Sequence, residues 1–370
     1  MTEETRSNVA TLSAAGPTNG TLPRAEVAEP PIEPDPLTKR FLNFRTLISF
    51  VIGLAILGFV LSRVDVDVDE IRARLAQTNL PLFLGALVLY YLTFPIRALR
   101  WQRLLANVGY ASGRETEVTG QYRKMPSVVG LAEIVMLSWF ANCIVPAKLG
   151  DAYRAYLLKG AAGVSFSKTF GTILAERIID MLLLFSLLAI SVLVAFSGTL
   201  PDAIMSIMQA GLVLVAVVIA GLVVMRNMGG LIARFVPERF RGHYSLFEQG
   251  TLGSFRAMPL VLTFSVVGWA IEAGRLYLVC WSLGLNNLSP AIVLFVALAS
   301  ALLTTLPITP AGLGFVESAI VGILLLAANW GLAPGVDAHV AASVAILDRV
   351  ISYWSLIIVG VILYVITRKR

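Results

Sequence analysis

The chain has 370 residues, of which 57% are apolar and 14% charged, and its mean hydropathy is +0.80. This composition is far too apolar for a soluble globular domain, so it predicts an integral membrane protein. The net charge of +6 comes mostly from Lys and Arg in the predicted loops, as is typical of cytoplasmic loops. We therefore expect no nucleic-acid partner.

Side chains that bind metals or form nucleophile–base pairs are scarce in this sequence. Its two cysteines, Cys143 and Cys280, both fall inside apolar segments, which excludes a disulfide framework and a thiolate zinc site. Its two histidines, His243 and His339, lie in a basic loop and at the start of an apolar helix, and we expect both to be incidental. The sequence contains no Walker phosphate-binding motif, so we expect no ATP hydrolysis by this chain. It predicts no metal and no cofactor.

The N-terminal segment differs in composition from everything after it. Residues 1–38 hold six prolines and no apolar periodicity, which predicts a disordered cytoplasmic tail ahead of a membrane domain over 39–370. The tail lacks the start of a signal peptide, so we expect the first apolar run, 46–61, to be retained. The basic residues just before that run place the N-terminus in the cytoplasm.

The apolar runs are long enough to cross a bilayer. We predict full crossings at 46–61, 80–99, 169–197, 203–225, 258–284 and 339–366. Two further regions, 127–168 and 290–331, are predicted to form broken or re-entrant helical hairpins. The expected fold is an all-α polytopic membrane protein with about eight hydrophobic spans. The basic residues that end the sequence place the C-terminus in the cytoplasm.

The first hairpin is inferred from its charge. Residues 127–145 are apolar, whereas 146–168 carry four basic residues against Asp151 alone. A complete crossing by the apolar part would leave this basic loop outside the cell, against the positive-inside rule. A hairpin that enters from the cytoplasm, turns near 142–150 and returns removes the conflict. Its irregular backbone would have to be buried in protein or line a cavity.

Ionisable residues interrupt several of the apolar runs. An ionised group in hydrocarbon costs several kcal/mol, so such residues usually serve ions, protons or polar substrates. Glu176 and Asp180 lie roughly 10–18 Å along their predicted helix, near the midplane, and a spacing of four puts them on one face. Similar groups follow in later runs: Glu272 with Arg275, and Asp348 with Arg349. The stretch 142–180 therefore predicts half of a polar site inside the membrane.

Three arginines, Arg97, Arg100 and Arg103, follow one another at intervals of three and share one helical face. Two interpretations of this face remain open. In the first, the charged ends of the arginines reach the lipid headgroups while their aliphatic stems stay in the apolar region. Alternatively, they form a phosphate-binding edge, because the guanidinium presents a planar fork to phosphate oxygens.

Short motifs recur in the same order in the two halves of the chain. The segment beginning at Pro146 (Pro-Ala-Lys-Leu-Gly-Asp) aligns with the one beginning at Pro310 (Pro-Ala-Gly-Leu-Gly-Phe). Each segment is followed by an acidic residue next to an arginine, Glu176–Arg177 in the first half and Asp348–Arg349 in the second. Each segment is preceded by an arginine that stands nine residues before a glycine: Arg100 before Gly109, and Arg275 before Gly284. With the charge-derived topology, the units 80–197 and 258–366 would be inverted copies, as in many transporters. The alternative is chance similarity between apolar segments.

Together these residues resemble the family of the lysylphosphatidylglycerol synthase transmembrane region, also called flippase-like proteins, over roughly residues 45–366. The motifs that carry the resemblance are Arg97-x-x-Arg100-Trp101, Asn142-x-x-x-Pro146-x-Lys148-x-Gly150-Asp151-x-x-Arg154, Glu176-Arg177-x-x-Asp180, Pro307-x-x-Pro310-x-Gly312-x-Gly314-x-x-Glu317 and Arg349 before Ser352-Tyr353-Trp354. Ala147 and Ala311 stand where the family usually has glycine.

The resemblance implies translocation of an anionic phospholipid or a polyprenyl-linked lipid between leaflets of the cell membrane. In members that make lysylated lipid, a soluble acyltransferase-like domain follows the membrane region. This chain ends at Arg370, so we expect that domain to be absent and the protein not to be an enzyme. Two alternatives remain open: a membrane-embedded transferase acting on lipid, and an accessory subunit of lipid or cell-envelope synthesis. The lipid, the direction and energy source of transport, and any homo-oligomer or partner synthase are left undetermined.

Each candidate site residue has an expected role in the transport hypothesis. Basic residues would contact phosphate, acidic residues would balance charge or carry protons, and the Pro–Gly breaks would supply half-helix ends that face the substrate. The candidate substrate-binding residues are Arg97, Arg100, Asn142, Pro146, Lys148, Gly150, Asp151, Arg154, Glu176, Arg177, Asp180, Pro310, Gly312, Gly314, Glu317, Asp348 and Arg349.

Overall fold

A computed structural model describes residues 48, 51–53, 55–56, 58–59, 67–110, 115–118, 121–145, 149–195, 202–304 and 309–368. The predicted tail and half of the first predicted crossing, 46–61, lie outside these residues. So do two of the candidate site residues, Pro146 and Lys148.

The described chain is built almost entirely of helices, with one short β-hairpin. The helices are α1 (Val68–Ala76), α2 (Leu80–Asn107), α3 (Val128–Ile144), α4 (Leu149–Ala162), α5 (Phe166–Ala195), α6 (Asp202–Phe235), α7 (Glu238–Gly253), α8 (Met258–Ser282), α9 (Pro290–Thr304), α10 (Phe315–Asn329), α11 (Ala338–Arg349) and α12 (Leu356–Arg368). A 3₁₀ turn (Pro310–Gly312) precedes α10, and a π-helical segment (Val350–Ser355) joins α11 to α12. Strands β1 (Glu115–Val118) and β2 (Gln121–Lys124) pair antiparallel.

The prediction of an all-α polytopic membrane protein is confirmed. Within the described residues, six helical stretches are long and apolar enough to cross a bilayer: Leu80–Asn107, Phe166–Val194, Met208–Phe235, Met258–Ser282, Pro310–Asn329 and Ala338–Thr367. Two shorter apolar helices, α3 and α9, open the two predicted hairpins.

Polar side chains cap several of the helix starts. Asn79, Ser127 and Asp337 each accept a hydrogen bond from a backbone N–H of the first turn that follows them.

The helices that begin the two predicted repeat units run antiparallel. Helices α2 and α8 begin these units, and they pack together along their length. At one end the backbone N–H of Asn79 donates to the carbonyl of Ser282 at 2.8 Å; at the other end the Asn107 amide donates to the Ser254 carbonyl at 3.0 Å. The start of each helix therefore meets the end of the other. Inverted units require this antiparallel arrangement; the inverted repeat itself, with units 80–197 and 258–366, stays a prediction.

Each hairpin packs against the last helix of the other unit. The first hairpin consists of α3 and α4, and the second of α9, the 3₁₀ turn and α10. Helix α5, which closes the first unit, packs against α9, and helix α12, which closes the second unit, packs against α3. Each hairpin is therefore held by both units. The turn of the first hairpin is fixed by two hydrogen bonds to Gly150: its N–H donates to Asn142 Oδ1 at 2.9 Å, and its carbonyl accepts from Ser138 Oγ at 2.8 Å.

The turn of the second hairpin contains strained backbone. Ala311 has φ 45°, and Gly312 and Gly314 have φ 71° and 85°. Glycine adopts this left-handed region without steric cost, whereas the Cβ of alanine clashes with its own backbone there. Ala311, which stands where the family usually has glycine, is therefore held in an unfavourable backbone conformation.

Two regions differ from the sequence prediction. The crossing predicted at 203–225 continues as helix α6 to Phe235, and the basic segment after it folds into helix α7 rather than a loop. Basic residues such as Arg226 and Arg234 do not interrupt a helix, since arginine has high helix propensity. Helix α7 packs closely on α5 because Gly171 and Gly250 leave room; a Cβ on either would collide with the facing backbone.

Candidate functional site

A cluster of buried ion pairs joins three helices of the first unit. Arg100 on α2 donates to Glu176 Oε1 on α5 at 2.7 Å and to both carboxylate oxygens of Asp180 one turn further on. Arg154 on α4 approaches the other oxygen of Glu176 at 3.1 Å and stacks on the Trp101 ring, 3.9 Å from its centroid. The two arginines and Glu176 are almost fully buried, so these hydrogen-bonded pairs offset the cost of removing their charges from water.

A second ion pair connects the first hairpin to the same helix. Arg177 on α5 donates Nε to Asp151 Oδ2 at 2.9 Å and Nη2 to Asp151 Oδ1 at 2.7 Å. Two parallel hydrogen bonds of this kind fix both distance and orientation. The pair therefore holds the start of α4 against helix α5.

The second unit contains an equivalent set of pairs. Arg275 on α8 bonds to Asp348 on α11 and, at 2.9 Å, to Glu272 on its own helix. Arg349 donates Nε to Glu317 Oε1 on α10 at 2.7 Å and Nη2 to the Ala311 carbonyl at 3.1 Å. All of these ionised side chains are less than 15% exposed.

The ion pairs follow one scheme in both units. The arginine of the first helix bonds to the acid of the last helix, and the arginine next to that acid bonds to a carboxylate of the hairpin. The sequence favours pairing of Arg177 and Arg349 with Glu176 and Asp180, but the structure pairs Arg177 with Asp151 and Arg349 with Glu317. Neighbouring residues on an α-helix point about 100° apart, so an adjacent acid and arginine reach different partners.

A cavity of about 400 Å³ lies where the two units meet. Its wall combines charged side chains with aromatic and aliphatic ones. Its polar and aromatic lining includes Tyr90, Arg97, Trp139, Asn142, Asp151, Arg177, Asp180, Trp269, Glu272, Arg275, Thr309, Asp348, Arg349 and Ser352. A pocket with apolar walls and a few convergent polar groups is the usual form of a small-ligand site.

Arg97 is unlike the other arginines of this cavity. Its guanidinium carbon lies 4.4 Å from the centroid of the Trp139 ring, and the side chain is 7% exposed. Among the described residues it makes no ion pair and no hydrogen bond, and its buried Nε lacks an acceptor. The charges of Asp180 and Glu272 act on it from a distance. Arg97 therefore presents an unpaired positive charge to the cavity.

The structure brings most of the candidate residues together. Seven line the cavity: Arg97, Asn142, Asp151, Arg177, Asp180, Asp348 and Arg349. Arg100, Arg154, Glu176 and Glu317 stand behind this wall as ion-pair partners, and Gly150, Pro310, Gly312 and Gly314 shape the hairpin turns. Their roles in binding remain predictions. Arg103 is exposed, whereas Arg97 and Arg100 are buried, so the three do not form one edge.

Several residues of the cavity were not among the sequence candidates. Glu272 and Arg275 could have been included, since Arg275 aligns with Arg100 in the repeat. Tyr90, Trp139 and Trp269 carry no such signal, because an aromatic residue in an apolar helix usually packs against lipid or other helices.

The helix that carries Asp348 and Arg349 changes its winding directly after them. The π-helical segment that follows is anchored on both sides of the cavity: the hydroxyl of Tyr90 donates to the Ser352 carbonyl at 3.0 Å, and that of Tyr353 donates to the Cys143 carbonyl at 3.1 Å. Short π-helical segments are frequent at functional sites. This segment links the second unit to both α2 and the first hairpin.

The family model described as the lysylphosphatidylglycerol synthase TM region matches residues 46–360 of this chain. The chain belongs to this family. The resemblance seen in the sequence motifs is thereby confirmed, and the match includes every candidate residue of the site.

Three curated proteins illustrate what this chain is similar to. A UPF0104 membrane protein of Methanocaldococcus jannaschii is 36% identical over 235 residues, which cover 62% of this chain and 95% of that protein. A UPF0104 membrane protein of Pyrococcus horikoshii is 24% identical and covers 79% of this chain and 89% of its own length. Glycosyltransferase AglD of Haloferax volcanii is 24% identical over 83% of this chain, but the match covers only 52% of that protein.

Proposed function

We propose that this protein translocates a lipid with an anionic, phosphate-containing headgroup between the leaflets of the membrane. The observation that carries the proposal is Arg97, the buried arginine without an anionic partner in a cavity where the other arginines are already paired. A phosphate group would supply the missing partner, since arginine binds phosphate oxygens with two parallel hydrogen bonds.

The surroundings of Arg97 suit this role. The Trp139 ring supports one face of the guanidinium, which reduces the freedom that binding would otherwise remove. Other arginines of the cavity wall, Arg177, Arg275 and Arg349, are held by carboxylates and therefore do not compete for the phosphate. The aliphatic part of the wall, which includes Met181 and Leu184, offers an apolar surface to the rest of the lipid.

The inverted arrangement of the two units supports transport rather than static binding. Inverted units can open a central site to one side of the membrane and then to the other by equivalent movements. The lysine and arginine distribution favours a cell-membrane orientation in which both termini are cytoplasmic.

A transferase is the second candidate, because one relative is named a glycosyltransferase. The relative is about twice the length of the matched region, so its activity does not transfer directly to this chain. A transferase would need a carboxylate free to act as a general base. In the cavity, Asp151 and Asp180 each bond to an arginine, which lowers their ability to take up a proton, whereas Glu272 keeps one oxygen without a hydrogen-bond partner. Detection of a modified lipid, rather than this geometry, therefore separates a transferase from a transporter.

Reconstitution in liposomes tests the proposal. Purified protein would be assayed for movement of fluorescent phosphatidylglycerol and fluorescent phosphatidylcholine between leaflets. Arg97→Met removes the free charge and keeps the length of the side chain; Arg103→Met, on the same helix but exposed, is the matched control. A charge-assisted hydrogen bond contributes about 1.5–3 kcal/mol, so we expect Arg97→Met to slow phosphatidylglycerol movement by roughly ten- to a hundredfold.

Arg103→Met should move phosphatidylglycerol at the wild-type rate, and phosphatidylcholine should move slowly with every variant. Equal rates for the wild type and Arg97→Met would refute the role of Arg97 in transport. Appearance of a modified lipid instead of translocation would favour the transferase.

A further inference from the structure

The ionised residues around the cavity are unequally distributed between the two units. In the described part of the first unit, the network contains three arginines and three carboxylates: Arg100, Arg154 and Arg177 with Asp151, Glu176 and Asp180. In the second unit it contains two arginines and three carboxylates: Arg275 and Arg349 with Glu272, Glu317 and Asp348. The second unit therefore carries one carboxylate more than its arginines can neutralise.

The extra carboxylate belongs to the pair Glu272 and Asp348, because both of these residues bond to Arg275. Glu272 bonds to Arg275 with one carboxylate oxygen, while its second oxygen, Oε2, is buried and has no hydrogen-bond partner. Asp348 accepts from the opposite side of the same guanidinium and receives a weak contact from Ser352 at 3.4 Å. Both side chains line the cavity. Glu176 Oε2 in the first unit also lacks a hydrogen-bond partner, but Arg100 and Arg154 both pair with that carboxylate, whereas among the described residues Arg275 is the one arginine that pairs with Glu272. A buried carboxylate oxygen without a partner, on a residue that shares its arginine with a second carboxylate, is a favourable place for a proton.

The difference between the units has a simple origin in the sequence. In the first unit, Arg154 on α4 gives Glu176 a second arginine. The corresponding helix of the second unit, α10, contains Glu317 as its only charged residue. No described arginine therefore takes the place of Arg154 beside Glu272 and Asp348.

Arg97 provides the remaining positive charge. It lines the same cavity, and the charges of Asp180 and, less strongly, Glu272 act on it without a direct ion pair. Until an anion binds, Arg97 helps to balance the surplus carboxylate at a distance. An anion that binds Arg97 takes this compensation away and leaves the Glu272–Asp348 pair with an uncompensated negative charge in a poorly solvated place. Taking up a proton removes that charge.

We propose that Glu272 and Asp348 form a proton-binding site that is loaded when an anionic headgroup occupies Arg97, so that the lipid and a proton travel together. This inference rests on the proposed function and specifies its ion coupling. The proton comes from the aqueous phase on the side where the lipid enters, binds one carboxylate oxygen of the pair, and leaves to the aqueous phase on the other side. Anion and proton together carry no net charge, so the proposed transport is electroneutral for a singly charged headgroup.

Groups from every neighbouring element act on this pair. Arg275 lies on the helix of Glu272, Arg349 lies next to Asp348, and Ser352 belongs to the π-helical segment. Tyr90 and Arg97 face the pair from α2. Helix α5 also packs against α8 and brings Arg177 and Asp180 to the cavity wall, and α10 packs against α11 and carries Glu317, which pairs with Arg349. Helix α9, which packs against α8 as well, contains no ionisable side chain. Among these charges, Arg97 is the one that makes no ion pair with a described residue. Binding of an anion to Arg97 is therefore the event that changes the charge balance around Glu272 and Asp348.

Proton uptake on binding tests the inference. The purified protein in weakly buffered neutral-detergent solution would be titrated with short-chain phosphatidylglycerol, while a pH indicator records protons taken up and calorimetry records binding. Short-chain phosphatidylcholine is the neutral control. We expect uptake approaching about one proton per bound phosphatidylglycerol. Glu272→Gln removes the surplus charge, so it should bind phosphatidylglycerol with little proton uptake.

Glu133→Gln is the matched control, because Glu133 lies on the apolar helix α3 outside the cavity and bonds to Thr367. It should take up protons like the wild type. Binding of phosphatidylglycerol by the wild type without proton uptake would overturn the inference and leave the proposed function standing. Equal proton uptake by Glu272→Gln and the wild type would place the proton elsewhere and also overturn it. Absence of phosphatidylglycerol binding would instead contradict the proposed function.

Discussion

The ion pair between Arg349 and Glu317 allows a quantitative prediction. Arg349→Met removes the guanidinium that Glu317 and the Ala311 carbonyl share, at 2.7 and 3.1 Å, and leaves Glu317 buried at 6% exposure. Breaking a buried pair by removing one partner typically costs about 3–5 kcal/mol, because an uncompensated charge stays behind. We expect a loss of this size in the free energy of unfolding.

The double variant Arg349→Met with Glu317→Gln should recover much of this loss. Glutamine keeps the carbonyl oxygen that accepts from the Gly314 backbone N–H, which Glu317 Oε2 does at 2.8 Å in the parent protein. It no longer carries a charge that needs Arg349. We expect the double variant to be only about 1–2 kcal/mol less stable than the wild type, the cost of the lost hydrogen bonds.

Unfolding in mixed detergent and sodium dodecyl sulfate micelles, followed by tryptophan fluorescence, would measure both variants. A single variant as stable as the wild type would refute the claim that this pair holds the second hairpin. A double variant as unstable as the single one would show that packing, and not the uncompensated charge, accounts for the loss.

Two further predictions concern the hairpins. Ala311→Gly should stabilise the protein by up to about 1 kcal/mol in the same assay, since it relieves a left-handed alanine; a loss of stability would contradict the strain assigned to that turn. Cysteines placed at positions 160 and 243 should be protected from impermeant thiol reagents in intact cells, whereas cysteines at 70 and 336 should react. Labelling of position 160 from outside would contradict the cytoplasmic opening predicted for the first hairpin.

The helices could be predicted because they depend on local features of the sequence. Apolar runs of sufficient length indicate crossings, and the Pro–Gly segments at Pro146 and Pro310 indicate broken hairpins. The acid–Arg pairs in the same order in both halves indicate the repeat. The structure adds the decisive observation that α2 and α8 run antiparallel, with Asn79 bonded to Ser282.

The partners of the charged residues could not be predicted in the same way. Glu176 and Arg177 are neighbours in the chain, yet one bonds to Arg100 and the other to Asp151, because their side chains point in different directions. The isolation of Arg97 depends on which carboxylates the fold places within reach. The contact with Trp139 depends on the packing of α2 against α3. These properties are set by tertiary packing, so sequence spacing does not reveal them.

The most direct measurement is an electron cryomicroscopy structure of the protein in nanodiscs that contain phosphatidylglycerol. If the cavity carries the headgroup, density for a phosphate should lie within hydrogen-bonding distance of the Arg97 guanidinium, in the plane of that group and at its edge, while Trp139 remains stacked on its face. Ordered lipid phosphates found only on the outer surface, with Arg97 bonded to a carboxylate of the protein, would contradict this assignment.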